Sequence, residues 1–292
     1  MNASELVAGA WDIHVHAAPS LFPRWGDAWD LATACREAGM AGCVLKAHHG
    51  SSVEAAALVA KRFDGLAFHG GVVLNQFVGG VHPLVVEQSL LLGARFVWLP
   101  TIHAAHHGEV TGRLGAFSFQ GTPLAHTPAA GTSVLDAEGR LTSAMREILA
   151  LLDGTATVLG TGHVSAREIA AVRRAIVADA RRVRLLVNHA FFTVPALGMT
   201  ELDELAADDV HFEVCDLSTS ELTRATTPAY VARHLSALPH ARWILASDSG
   251  QRDNLKSPAA LGRYASALLA EGVDLALLER MMRTHPAELL ES

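Results

Sequence analysis

The sequence predicts a single (β/α)8 barrel, and three observations carry the prediction. Eight short apolar runs alternate with helix-like segments along the whole chain. The first run is followed by His14-Val15-His16-Ala17-Ala18-Pro19 rather than a glycine-rich phosphate turn, which makes an open doubly wound sheet the weaker alternative. At 292 residues the chain suits a barrel, a fold that runs to about 250 residues or more as one unit, and one domain over 1–292 is expected.

The apolar runs place strands at Ala10–His16, Gly42–Ala47, Leu66–Asn75, Arg95–Thr101, Ala156–Gly162, Arg184–Asn188, Val210–Asp216 and Arg242–Ser247. Their alternation with helices implies parallel pairing through right-handed crossovers. Ser51-Ser52-Val53-Glu54 has the form of a capping box opening a helix over Val53–Phe63. Pro83 and Gly93 bracket the next helix, and Ser165-Ala166-Arg167-Glu168 opens another towards Asp179. Further helices start between Thr200 and Asp203 and at Pro258, the last ending near Gly272. The stretch from Ile102 to about Thr142, rich in Gly, Thr, Pro and His, reads as a long loop over the face that carries the chemistry.

Composition bounds the partners. Half the residues are hydrophobic, and the net charge of -7 argues against nucleic-acid binding. The densest basic stretch, Arg173 to Arg184, lies on a helix-like segment and reads as a solvated face. Cys35, Cys43 and Cys215 are unpatterned and odd in number, which fits reduced, packed thiols in the cytoplasm. The N-terminal residues lack the pattern of a signal peptide, and no apolar run reaches membrane-spanning length. A soluble cytoplasmic protein acting on a small molecule is expected, without a membrane partner and with a homo-oligomer left open.

The histidines locate the chemistry. Side chains two apart in a strand share a face, so His14 and His16 converge at the end of the first strand. With 16 histidines in the chain, about one such pair arises by chance. The later strand ends make chance a poor account. Strand two offers Lys46, then His48 and His49; strand three Asn75; strand four Thr101, then His103, with His106 and His107 beyond. Strand five ends at His163, six at His189, seven at Asp216 and eight at Asp248. In a (β/α)8 barrel these ends surround one site.

The pieces Asp12-Ile13-His14-Val15-His16, Thr161-Gly162-His163-Val164-Ser165, Val187-Asn188-His189-Ala190 and Ala246-Ser247-Asp248-Ser249-Gly250 resemble the amidohydrolase superfamily. Met282-Arg283-Thr284-His285-Pro286-Ala287-Glu288-Leu289-Leu290 resembles its closing N-P-A-x-L-L segment, with His285 where Asn is usual. Lys46-Ala47-His48-His49 is similar to a segment of small uncharacterised members. The resemblance implies that His14, His16, His163 and Asp248 ligate a divalent metal, zinc being the first choice. His189 is then a second-site ligand or the group that polarises the substrate, and Asp248 the base. One metal is preferred over two, because Phe96–Thr101 offers neither lysine nor acid to bridge a pair.

Lys46, and Arg252 after strand eight, are expected to bind a substrate carboxylate, with Lys46 pairing with Asp216 or another acid the alternative. His48 and His49 are candidates for the pocket rim, and His103, His106 and His107 weaker ones. The expected function is a metal-dependent hydrolase acting on an amide, lactone or related bond of a small anionic molecule. A mononuclear decarboxylase or lyase of the same superfamily is the alternative, and a non-catalytic metal-binding protein stands behind both.

Overall fold

A computed structural model of the chain describes residues 3–117, 119–121, 124–207 and 209–291. Its eight strands are β1 (Trp11–Val15), β2 (Gly42–Leu45), β3 (Ala67–Val73), β4 (Phe96–Trp98), β5 (Val158–Gly160), β6 (Arg184–Val187), β7 (Val210–Cys215) and β8 (Arg242–Ala246). They pair in parallel in the order of the sequence. Each lies inside a run expected to be a strand. The ring is drawn together between its two ends: the Asp248 N–H donates to His14 O at 2.9 Å and the His16 N–H to Ser249 O at 2.8 Å. Asp12 reinforces this seam, its carboxylate accepting from the Ser247 N–H at 3.0 Å and the Ser257 hydroxyl at 2.5 Å. Burial pushes the Asp12 carboxyl up to about 6, against those hydrogen bonds.

Strand alternation divides the core. Ile13, Val44, Phe96, Trp98, Leu186 and Ile244 fill the barrel with Leu289 and Leu290, while a larger apolar layer lies between sheet and helices. Gly160 permits this filling, since a Cβ there would stand 2.3 Å from the Trp98 ring. Cys35, Cys43 and Cys215 are buried free thiols, as expected. Among the described residues no helix is long and apolar enough to cross a membrane.

Most helix starts follow the sequence signals. Ser165 and Glu168 form a reciprocal capping box at the helix Ala166–Ala178, and Pro83 opens Pro83–Leu91. The Ser51–Glu54 box does not close: Ser51 donates to Glu54 Oε2 at 2.5 Å, but the N-cap is Ser52, whose side chain makes no cap bond, and the helix is Val53–Ala60 rather than Val53–Phe63. The Ser52 hydroxyl donates to Leu45 O at 2.6 Å and accepts from the Gly71 N–H at 3.0 Å, bridging two strands, while Ser51 takes the Val53 N–H at 3.2 Å. The stretch from Ile102 to Thr142 is not wholly loop. It contains a helix, Ala105–Thr111, whose seven residues are too few to show a period.

Candidate metal centre at the carboxyl ends of the strands

His14 and His16 leave β1 beside one another, and what each bonds behind the ring fixes what it shows in front. His14 Nδ1 lies 3.0 Å from Glu213 Oε2, and His16 Nδ1 lies 2.7 Å from Lys46 O. A carboxylate and a carbonyl only accept, so each Nδ1 carries the proton, and in a neutral imidazole Nε2 is left as a bare acceptor. Burial, with Arg24, His14 and Lys46 nearby, holds the His16 pKa well below its usual value. Both Nε2 atoms face Asp248 Oδ1, at 3.3 Å from His14 and 3.1 Å from His16.

Three buried acceptors therefore converge, each offering an atom within 4.8 Å of the others. Two imidazole nitrogens and a carboxylate oxygen suit zinc or a similar divalent cation. Lys46 Nζ stands at the edge of this group, 3.2 Å from His14 Nε2 and 5.3 Å from the Trp98 ring centre. Burial lowers the Lys46 pKa, which Asp248 and Glu213 partly oppose.

Glu213 is the residue sequence reasoning missed. Its Oε2 accepts from His14 Nδ1, from Asn188 Nδ2 at 3.1 Å and from the His189 N–H at 3.0 Å. Burial opposes its ionisation, yet His14, His189 and Lys46 hold its carboxyl well below the usual range. The signal was an acid in mid-strand, two residues after His211 and on the same inward side. His14, Glu213 and Cys215 also meet the spacing of a metal site; there Glu213 Oε2 is committed to three N–H groups, and Oε1 has no partner among the described residues.

His163 is oriented by His107. His107 Nε2 lies 2.9 Å from Ala116 O and so carries the proton. Its Nδ1 then accepts from His163 Nδ1 at 2.8 Å, which leaves His163 Nε2 bare in the neutral ring. Burial, together with His107 and His189, depresses the His163 pKa. His189 is neutral as well, lowered to about 4 by burial and by Lys46. Its Nδ1 has no partner among the described residues. His189 and Asp248 both hold left-handed backbone, with φ of 29° and 51°, at the strand-to-loop junctions that aim them inward.

The expected rim is only partly present. His48 stacks on His16 with ring centres 4.6 Å apart and bonds Thr101 Oγ1 at 3.0 Å. His49 is half-buried and does not line the cavity. His103 turns away: its Nδ1 accepts from the Gln76 N–H at 3.0 Å and its ring packs on Phe77. His106 pairs with Glu109 at 3.5 Å. Asp216 pairs with Arg263, not Lys46, and burial raises its carboxyl to about 6.

Arg252 does not join Lys46. Its side chain is exposed, and the guanidinium that lines the cavity belongs to Arg24, from the loop after β1. Burial brings the Arg24 pKa down to about 10, with Asp248 acting against it. Phe117, Phe119 and Phe192 complete the walls and leave room for about one water molecule.

The fold is shared with solved structures of an amidohydrolase, a probable dipeptidase and a dihydroorotase-like domain. The chain matches an amidohydrolase from Pseudomonas aeruginosa at a TM-score of 0.58 and 12% identity, covering 99% of this chain and 98% of that one. It matches the probable dipeptidase PvdM from Pseudomonas aeruginosa at 0.63 and 11%, covering 99% and 96%. An inactive dihydroorotase-like domain of a CAD-like multifunctional protein from Chaetomium thermophilum matches at 0.58 and 13%, covering 98% and 80%. The fold thus accommodates active and inactive members, and activity has to be argued from side chains. No curated protein matches in sequence. The chain belongs to a Family of unknown function (DUF6282), whose model matches residues 9–213.

Proposed function

We propose that the protein is a metal-dependent hydrolase that uses one divalent metal, zinc in the first instance, to open an amide, lactone or related bond of a small anionic molecule. The observation that supports this most is the convergence of His14 Nε2, His16 Nε2 and Asp248 Oδ1, three acceptors within 4.8 Å whose mutual repulsion a cation relieves. His163 is the further ligand. A bound cation supplies Lewis acidity and an acidified water.

The chain's own residues account for the remaining steps. Asp248, beside both imidazoles, accepts the proton of the attacking water and passes it to the leaving group. Neutral His189 offers an N–H to the oxygen that gains charge in the transition state. Lys46 and Arg24 neutralise a substrate carboxylate, and Phe117, Phe119 and Phe192 keep bulk water away.

A mononuclear lyase that releases carbon dioxide is the second reading. It is favoured at the end of the β4 run, where Thr101 is committed to Asn75 Nδ2 at 2.8 Å and His48 at 3.0 Å and offers no bridge between two metals. One experiment tests both. Protein purified without chelators should hold about one metal per chain, and a panel of small carboxylated amides, lactones and β-unsaturated acids is assayed for acid release and for carbon dioxide. Turnover abolished by chelation and restored by zinc supports the proposal, and the product tells hydrolase from lyase. Chelator-insensitive turnover overturns the metal in either reading.

A further inference from the structure

At the opposite mouth of the barrel, three neighbouring strands begin with polar side chains on the inward side: Arg184 on β6, His211 on β7 and Arg242 on β8. Their orientation follows from alternation, because Leu186, Cys215 and Ile244, an even number of residues further on, belong to the barrel filling. The three line an open groove of about 570 Å³ with Arg181, Arg182, Asp209 and Glu288.

His211 is only 7% exposed, yet neither ring nitrogen has a partner among the described residues. A buried imidazole carries a donor and an acceptor, and leaving both unmet is unusual enough to need a cause. Arginines surround it. Arg242 pairs with Glu288 at 2.6 Å, Arg181 with Asp179 at 3.2 Å, and Arg184 donates to Leu289 O at 2.9 Å. The exposed Arg182 makes no ion pair among the described residues. The lining itself holds four arginines and two acids, Asp209 and Glu288, flanked by Asp179 beside Arg181 and by Asp153, which accepts the backbone N–H of Arg182 at 2.8 Å.

We propose that this mouth is an oxyanion site that takes a phosphate group, free or carried on a small molecule, with His211, Arg182, Arg184 and Arg242 as its donors. Guanidinium forks arriving from two strands and a loop, with an imidazole between them, exceed what the two oxygens of a carboxylate engage, whereas phosphate offers at least three. The site is independent of the metal centre.

Calorimetry on the full-length, metal-loaded protein tests it, with inorganic phosphate and phenyl phosphate as probes and chloride at matched ionic strength as the control. Saturable binding at one equivalent is expected, absent with chloride. The exposed-site variant Arg182→Gln, which leaves the barrel filling untouched, should weaken binding severalfold, and His211→Gln about tenfold or more. Arg24→Gln, at the metal end, should leave it unchanged. Tighter binding of phenyl phosphate supports a phosphomonoester as the ligand, and tighter inorganic phosphate the free ion. Binding that Arg24→Gln abolishes while Arg182→Gln and His211→Gln retain it, or that chloride reproduces, overturns the proposal.

Discussion

Glu213 Oε2 lies 3.0 Å from His14 Nδ1, and through this contact a buried carboxylate in mid-strand decides which nitrogen of His14 meets the cavity. The same oxygen receives the backbone N–H of His189, so one acid orients the His14 ring and anchors the chain where His189 leaves its strand. Glu213→Gln keeps the volume but loses the charge that secures the tautomer. Metal affinity should fall about 10- to 100-fold, read by competition with a chelating dye. Unchanged affinity would make Glu213 a packing residue.

His14→Ala, His16→Ala and Asp248→Ala should each abolish tight metal binding and activity, leaving the far-ultraviolet circular dichroism close to that of the parent. These side chains stand at the barrel end where residues serve the site more than the fold. Elemental analysis gives the answer. Full metal occupancy in a His14/His16 double variant contradicts the assignment.

The cations separate by position. Arg24→Gln and Lys46→Met should weaken carboxylate ligands held at the candidate metal centre about 10-fold or more while changing neutral ones little, the scale of a lost charge-assisted hydrogen bond. Arg252→Gln, altering an exposed side chain, should do neither. Equal losses for charged and neutral ligands in Lys46→Met would make that lysine structural.

Gly250 has a φ of 132°, and a Cβ there would stand 2.1 Å from His16 O. Gly250→Ala must therefore push against the backbone that carries a candidate ligand. A stability loss of more than about 1 kcal/mol is expected, with weakened metal binding alongside. A melt and a metal titration on the same sample show whether the two losses travel together.

Acid should destabilise the apo protein. Burial lowers His69 and His103 to about 4 and His211 to about 3, the last also by Arg242. Between these values and 6.5 the unfolded chain binds more protons, so stability falls as pH drops through that window. Asp12 and Asp216, raised to about 6, act the other way, since the folded state holds their protons as pH rises from 4. The histidines outnumber the aspartates. The melting temperature should fall by several degrees from pH 6.5 to pH 4, and a rise over that interval would contradict the balance.

The barrel was legible because apolar runs and their polar ends are local patterns. His14, His16, His48, His163, His189 and Asp248 all line the cavity, as their places at strand ends implied. What could not be read was set by closure in space. Arg24 reaches the site because its loop folds back across the mouth, with Arg24 bridged to Gln251, whereas Arg252 one residue on points to solvent. His107 acquires its role only when a seven-residue helix lays it against His163. Ser51 and Glu54 fit the capping pattern and do bond one another, but the cap position falls to Ser52, whose hydroxyl β2 and β3 claim.

The seam between β1 and β8 has a consequence for biosynthesis. His16 and Asp248 are 232 residues apart, and the backbone bonds that bring them together are the ones that join the first strand to the last. A chain still emerging from the ribosome carries both histidines long before it carries the aspartate, so it cannot assemble the three-residue cradle. Loading of the proposed centre would then wait for the final strand. A cation held across the join would bind only the completed barrel and, by mass action, shield it from reopening.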